Sequence, residues 1–119
     1  MTPREVEVRL AHIVEAGAKV LRFTAGKSFE EYELDDLATS AVERQLMIIG
    51  EAVARIAKSD AVVAKTLGDF PRIIAFRNQL AHNYPNVDDN AVWFIVQREV
   101  PVLLDRVRAL LESSGDLPA

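Results

Sequence analysis

The sequence predicts an all-α domain: an up-and-down bundle of four main helices plus a short one. Three observations carry this. Apolar residues recur at three- and four-residue spacing through long segments. Strand-type alternation is missing. The five glycines and five prolines fall mostly between the periodic segments. A chain of 119 residues, half of them hydrophobic, suits one globular domain over 1–119 with a single modest core.

The first helix is expected from Pro3 to Thr24, with Thr2 as N-cap, Pro3 at the first helical position and Glu5 completing a capping box. Leu10, Ile13, Val14, Gly17, Val20 and Leu21 make its inner face, and Gly26 ends the segment. Ser28-Phe29-Glu30-Glu31 is a second capping box, opening a short turn with Tyr32. The second long helix runs from about Asp36 to Lys58 on an apolar stripe that begins at Leu37 and ends at Ile56. Gly50 interrupts it at a cost of about 1 kcal/mol relative to alanine. Either a neighbouring helix approaches closely there, or the glycine makes room beside a site. A short helix follows from Asp60 to Leu67, closed by Gly68. The next starts near Pro71, capped by Asp69 or Phe70. It ends near Asn83, because Tyr84 precedes Pro85. Asp88 then caps a final helix to about Glu112. Pro101 should kink that helix, having no N–H to give to the carbonyl of Gln97. The tail over 113–119 is expected to fray.

Several function classes fall away. Cysteine is absent, which excludes disulfides, thiolate zinc sites and cysteine nucleophiles. No apolar run approaches the ~20 residues needed to span a bilayer, and the N-terminus lacks a signal-peptide core. A cytoplasmic location is expected. A net charge of −4 and a pI near 5.2 argue against nucleic-acid binding over the whole surface, though not against a local basic cleft.

The chemistry concentrates in Arg77-Asn78-Gln79-Leu80-Ala81-His82-Asn83-Tyr84. Arg77 falls near the middle of an apolar arc made by Phe70, Ile73, Ile74, Phe76, Leu80 and Ala81. A charge there is paired, or lines an interface or cleft. The plain structural account pairs Arg77 with Glu51 or Glu43, and makes His82 a C-terminal residue favoured by the helix dipole. The functional account is phosphodiester chemistry. An arginine can hold a phosphate bidentately and stabilise developing charge, and a histidine can move protons near neutral pH. Arg77 and His82 stand about 140° apart around a regular helix, so they would not face each other within one copy. Asn78 and His82 share a face, and Asn78 could orient the imidazole. If two copies of the helix meet, each His82 could work beside the other's Arg77, so the spacing hints at a shared site without establishing one. No clustered metal-ligand set is visible, and Asp88 is accounted for as a cap. Tyr84 either packs beside Pro85 or stands at the mouth of the site. His12, amid Arg9 and Glu15, reads as a solvated position.

Arg77-x4-His82-x-Tyr84, with the polar Asn78 after the arginine, resembles the motif of the HEPN superfamily, in its HepT-like branch. Glu43-Arg44, Ile49-Gly50-Glu51-Ala52, Val87-Asp88 and Val92-Trp93 extend that resemblance in order and spacing from the first helix to Leu111. The resemblance implies a homodimeric ribonuclease toxin of a type VII-like toxin–antitoxin system, acting on RNA across the dimer interface without metal or cofactor. By position, Arg77 and His82 would be catalytic and Asn78 supporting. The implied partner is an MntA-like minimal nucleotidyltransferase antitoxin, which would transfer AMP to Tyr84. Arg44 and Glu51 are left without a role beyond a salt bridge supporting the site. Two rivals stay open: a non-catalytic module that binds a nucleotide or the antitoxin, and a purely structural helical adaptor.

Overall fold

The computed structural model describes residues 1–82 and 86–114. Every regular element among them is helical: α1 (Pro3–Thr24), α2 (Phe29–Leu34), α3 (Asp36–Ser59), α4 (Ala61–Thr66), α5 (Phe70–His82), α6 (Asp89–Phe94), a π segment (Ile95–Glu99) and α7 (Val100–Ser114). The all-α expectation holds. Of the tail expected to fray over 113–119, Ser113 and Ser114 instead continue α7, and 115–119 lie outside the described residues.

Local chemistry places the ends. Thr2 Oγ1 accepts from Glu5 N at 3.1 Å while Glu5 Oε2 accepts from Thr2 N, and Ser28 and Glu31 repeat the exchange. The carboxylates of Asp35, Asp60, Asp69 and Asp88 each accept a backbone N–H at the start of α3, α4, α5 and α6. Gly26 and Gly68 close α1 and α4 at φ of 74° and 120°, which an L side chain rarely adopts.

α3 is the central helix. It packs against α1 on one side and α5 on another, and α7 closes on α1. The buried core runs through Ile13 and Val20 of α1, Val42, Val53 and Ile56 of α3, and Val107 of α7. One expected core residue is not there: Leu37 is 81% exposed. It sits about 100° around the helix from the line of Ala38, Val42, Ile49 and Ile56, on the outer side of the first turn. Pro101 also has a different outcome from a simple kink. The three final segments run on without a break, and the turn before the proline widens into a π segment in which Val100 N donates to Ile95 O. That widening accommodates a ring that cannot donate to Gln97.

Tyr32 of α2 is fully buried, with its ring 5.1 Å from that of Trp93. Among the described residues its hydroxyl has no hydrogen-bond partner. Burial, then the nearby charges of Asp89 and Glu43, push its ionisation upward.

α5 is the least buried of the long elements: only Leu80 is in the core, and Phe70, Ile73, Ile74 and Phe76 are half-buried. An apolar groove of about 650 Å³ lies between it and the final rod, bordered by Phe94 and Val102. The Arg72–Glu99 ion pair, 2.5 Å, spans it. No helix among the described residues is long and apolar enough to cross a membrane.

Candidate active site around Arg77

α5 reaches α3 closely at one point. A Cβ on Gly50 would overlap the Cβ of Arg77 and lie 2.7 Å from its Cγ. The two readings of Gly50 therefore coincide: the close neighbour it admits is the candidate site residue itself. Resting on this glycine, the Arg77 side chain turns outward along α3. Its Nη2 donates to Glu51 Oε2, and its Nη1 donates to Asn78 Oδ1 at 2.9 Å. Of the two carboxylates expected as its partner, Glu51 is the one used. The Arg77 side chain is 32% exposed, held from behind by these partners and reached by solvent in front.

Glu51 is held in turn. Arg55 Nε donates to its Oε1 at 2.9 Å. That bond, and then the charges of Arg77 and Arg55, keep the Glu51 carboxyl below its ordinary range in spite of some desolvation. The expected supporting salt bridge is therefore made by Glu51, without Arg44. Asn78 faces Arg77; among the described residues its carboxamide makes no hydrogen bond to His82.

α5 is unbroken from Phe70 to His82, so the helical spacing applies. His82 is exposed at the C-terminal end. The cavity that Arg77 lines, about 320 Å³, does not include it. The histidine in that cavity is His12, with Arg9 beside it on α1 and Arg44 and Glu51 on α3. His12 is solvent-exposed, as expected, yet it borders this cavity, and sequence reasoning gave neither Arg9 nor His12 a place beside Arg77. The one available signal was their i, i+3 spacing, which puts two basic side chains on one face of α1. Tyr84 lies outside the described residues.

A second cavity, about 550 Å³, adjoins the first through Arg44 and Met47, which line both. It is bordered by Leu80 and Ala81 from the last turn of α5, and by Glu43 and Asp89. Desolvation, and then the charge of Asp89, raise the Glu43 carboxyl above its ordinary range; desolvation and Asp88 do the same to Asp89. A carboxyl raised in the folded state binds protons more tightly there than in the unfolded chain, so its ionisation weakens folding as pH rises through the raised value. Glu43→Gln removes that penalty. It is expected to melt higher than the native chain at pH 7, and the gap should close as pH falls through the carboxylate range. Thermal melts over a pH series check this; a variant that melts lower at pH 7 contradicts it.

Among the described residues no group of three or more His, Asp or Glu is arranged to hold a metal ion.

The family model described as "Ribonuclease HepT-like" matches residues 13–110. The chain belongs to the HepT-like ribonuclease family. Curated relatives agree nearly end to end. "Putative RNase TTE0752" of Caldanaerobacter subterraneus subsp. tengcongensis is 31% identical over 111 residues, covering 93% of this chain and 96% of its own. "Putative RNase MJ1380" of Methanocaldococcus jannaschii is 31% identical over 107 residues, covering 90% and 97%. "Putative RNase MJ1216" of the same organism is 31% identical over 101 residues, covering 85% and 83%. No solved structure gives a significant match. The HepT-like match spans all the elements that build the Arg77 cavity except the first turns of α1, where Arg9 and His12 lie.

Proposed function

We propose that this HepT-like chain is a metal-independent endoribonuclease, the toxin of a type VII-like toxin–antitoxin pair, working as a homodimer. The observation that carries the reading is Arg77 itself. Its guanidinium is fixed by Glu51 and Asn78, lies over a glycine that admits it, and stays open to solvent in a ribonuclease family member. A fixed, exposed guanidinium suits the charge that develops on a reacting phosphate.

In the proposed reaction His82 takes the proton from the RNA 2′-hydroxyl, or delivers one to the departing 5′-oxygen. The 2′-oxygen bonds to phosphorus, the bond from phosphorus to the 5′-oxygen breaks, and Arg77 stabilises the pentacoordinate transition state. The products are a 2′,3′-cyclic phosphate and a 5′-hydroxyl. Asn78 supports Arg77. The placement of His82 outside its own chain's Arg77 cavity supports a shared site, with one protomer's His82 serving its partner's arginine. An MntA-like antitoxin would neutralise the toxin by moving AMP from ATP to the Tyr84 phenol, releasing pyrophosphate. The added charge and bulk would repel and block RNA.

The test expresses the native chain and His82→Ala in a bacterial host, following growth and RNA ends. Arrest and RNA fragments with cyclic-phosphate ends from the native chain alone are expected. Fragments ending in a 3′-hydroxyl contradict the 2′-oxygen mechanism. Identical behaviour of two equally folded chains removes His82 from catalysis. The rival binding module, which the net charge of −4 favours, would then stand first.

A further inference from the structure

The cavity in front of Arg77 is basic on a chain whose net charge is −4. It is lined by three arginines, Arg9, Arg44 and Arg77, and by His12, against a single carboxylate, Glu51. Glu51 is already shared between Arg77 and Arg55. Arg9 and Arg44 make no ion pair among the described residues. Three elements contribute: Arg9 and His12 from one face of α1, Arg44 and Glu51 from one face of α3 two turns apart, and Arg77 from α5. Met47 and Ile48 form an apolar floor between the α3 charges. Unpaired guanidiniums converging on a concave, partly apolar surface favour an anion with several acceptor oxygens. The adjoining cavity offers no such preference, since Glu43 and Asp89 face it.

We infer that Arg9, His12 and Arg44 form a phosphate-binding subsite that grips the RNA strand one phosphate away from the group handled by Arg77. This rests on the ribonuclease reading for the identity of the ligand, and assigns α1 a part in substrate binding. Arg44 is the pivot. It lines both the Arg77 cavity and the adjoining cavity, so it stands at the rim between them, within the basic part of the surface that holds Arg77.

The experiment is binding of a short, fully 2′-O-methylated oligoribonucleotide, which cannot undergo 2′-oxygen attack, followed by fluorescence anisotropy across a salt series. Arg44→Ala is expected to weaken binding about tenfold or more. It should also reduce the slope of log affinity against log salt by about 0.7, the loss of one single-strand phosphate contact. An Arg9→Ala/His12→Ala double variant should act in the same direction. Arg44→Lys should keep the slope, having kept the charge, and Lys58→Ala, an exposed cation elsewhere on α3, should change nothing. Circular dichroism of each variant confirms a native helical fold. Equal affinity and slope for Arg44→Ala and the native chain overturns the subsite, as does a native chain that does not bind the oligonucleotide. Displacement of the oligonucleotide by ATP at matched phosphate concentration also overturns it, by making the cavity a mononucleotide site. Cleavage of unmodified RNA is scored separately. A native chain that binds through Arg44 yet cuts nothing retains the subsite and loses the ribonuclease mechanism; one that cuts with an indifferent Arg44 does the reverse.

Discussion

Arg77→Ala is expected to lower RNA cleavage by a factor of about 10² to 10³, the range associated with losing an electrostatic stabiliser of the transition state, while the helical fold remains. Stability should change little by comparison. The Arg77–Glu51 pair is partly exposed on both sides, 32% and 39%, and such pairs contribute roughly 1 kcal/mol or less. Glu51 is not orphaned when the arginine goes, because Arg55 still donates to it. Some packing of the arginine stem over Gly50 is lost as well. Arg77→Lys sharpens the contrast. Lysine keeps the charge but offers a compact ammonium in place of a planar fork, so it loses the bidentate geometry that suits carboxylate and phosphate. It should restore little of the lost cleavage and nearly all of the lost stability. Initial rates on an unmodified RNA substrate, beside thermal melts, separate the two. A variant that cuts at the native rate but melts well below the native chain would make Arg77 a structural residue, and the helical-adaptor reading would prevail.

The elements were legible because their determinants are local. Thr2 with Glu5, Ser28 with Glu31, and the cap Asp88 act within one turn, and all stand where the spacing places them. The misplacement of Leu37 is a matter of about one residue of phase, since an apolar run of Leu37-Ala38 does not say which of the two faces inward. At Pro101 the missing N–H was legible, whereas its relief by a widened turn depends on how α7 docks on α1. The same division holds at the site. Arg77 stood out because a charge on an apolar arc demands a partner. Choosing Glu51 over Glu43 required the register of α3 against α5, which Gly50 sets by letting the helices touch at that level. His12 is solvated as its neighbours suggest, but nothing within α1 marks it as a cavity residue; only the packing of α1 on α3 brings it to the cavity that Arg44 lines. Pairing His82 with a partner's Arg77 involves a second copy of the chain, and no single-chain pattern specifies that contact.

Gly50→Ala gives the second large effect, and its sign runs against helix propensity. At an open helical position the change would stabilise by up to about 1 kcal/mol. Here the new methyl would meet the Cβ and Cγ of Arg77, with the Arg77 Cα 3.6 Å away. These are the atoms nearest the α5 backbone, so no rotamer change clears them; α5 itself must move off α3. Overpacking of this kind costs about 1–3 kcal/mol, which for a chain of this size lowers the melting temperature by roughly 4–12 °C. Gly50→Leu should cost more. Cleavage should fall by about 10²-fold even where the protein stays folded, because an ångström of displacement at a positioning residue has that effect. Paired variants locate the cause. In an Arg77→Gly background the clashing Cβ is gone, so Gly50→Ala should cost little or turn favourable, giving a clear non-additivity. A Gly50→Ala chain that melts at or above the native temperature would mean that α3 and α5 have slack at this level. The close contact would then not be what holds Arg77 in place, and its orientation would have to come from Glu51 and Asn78 alone.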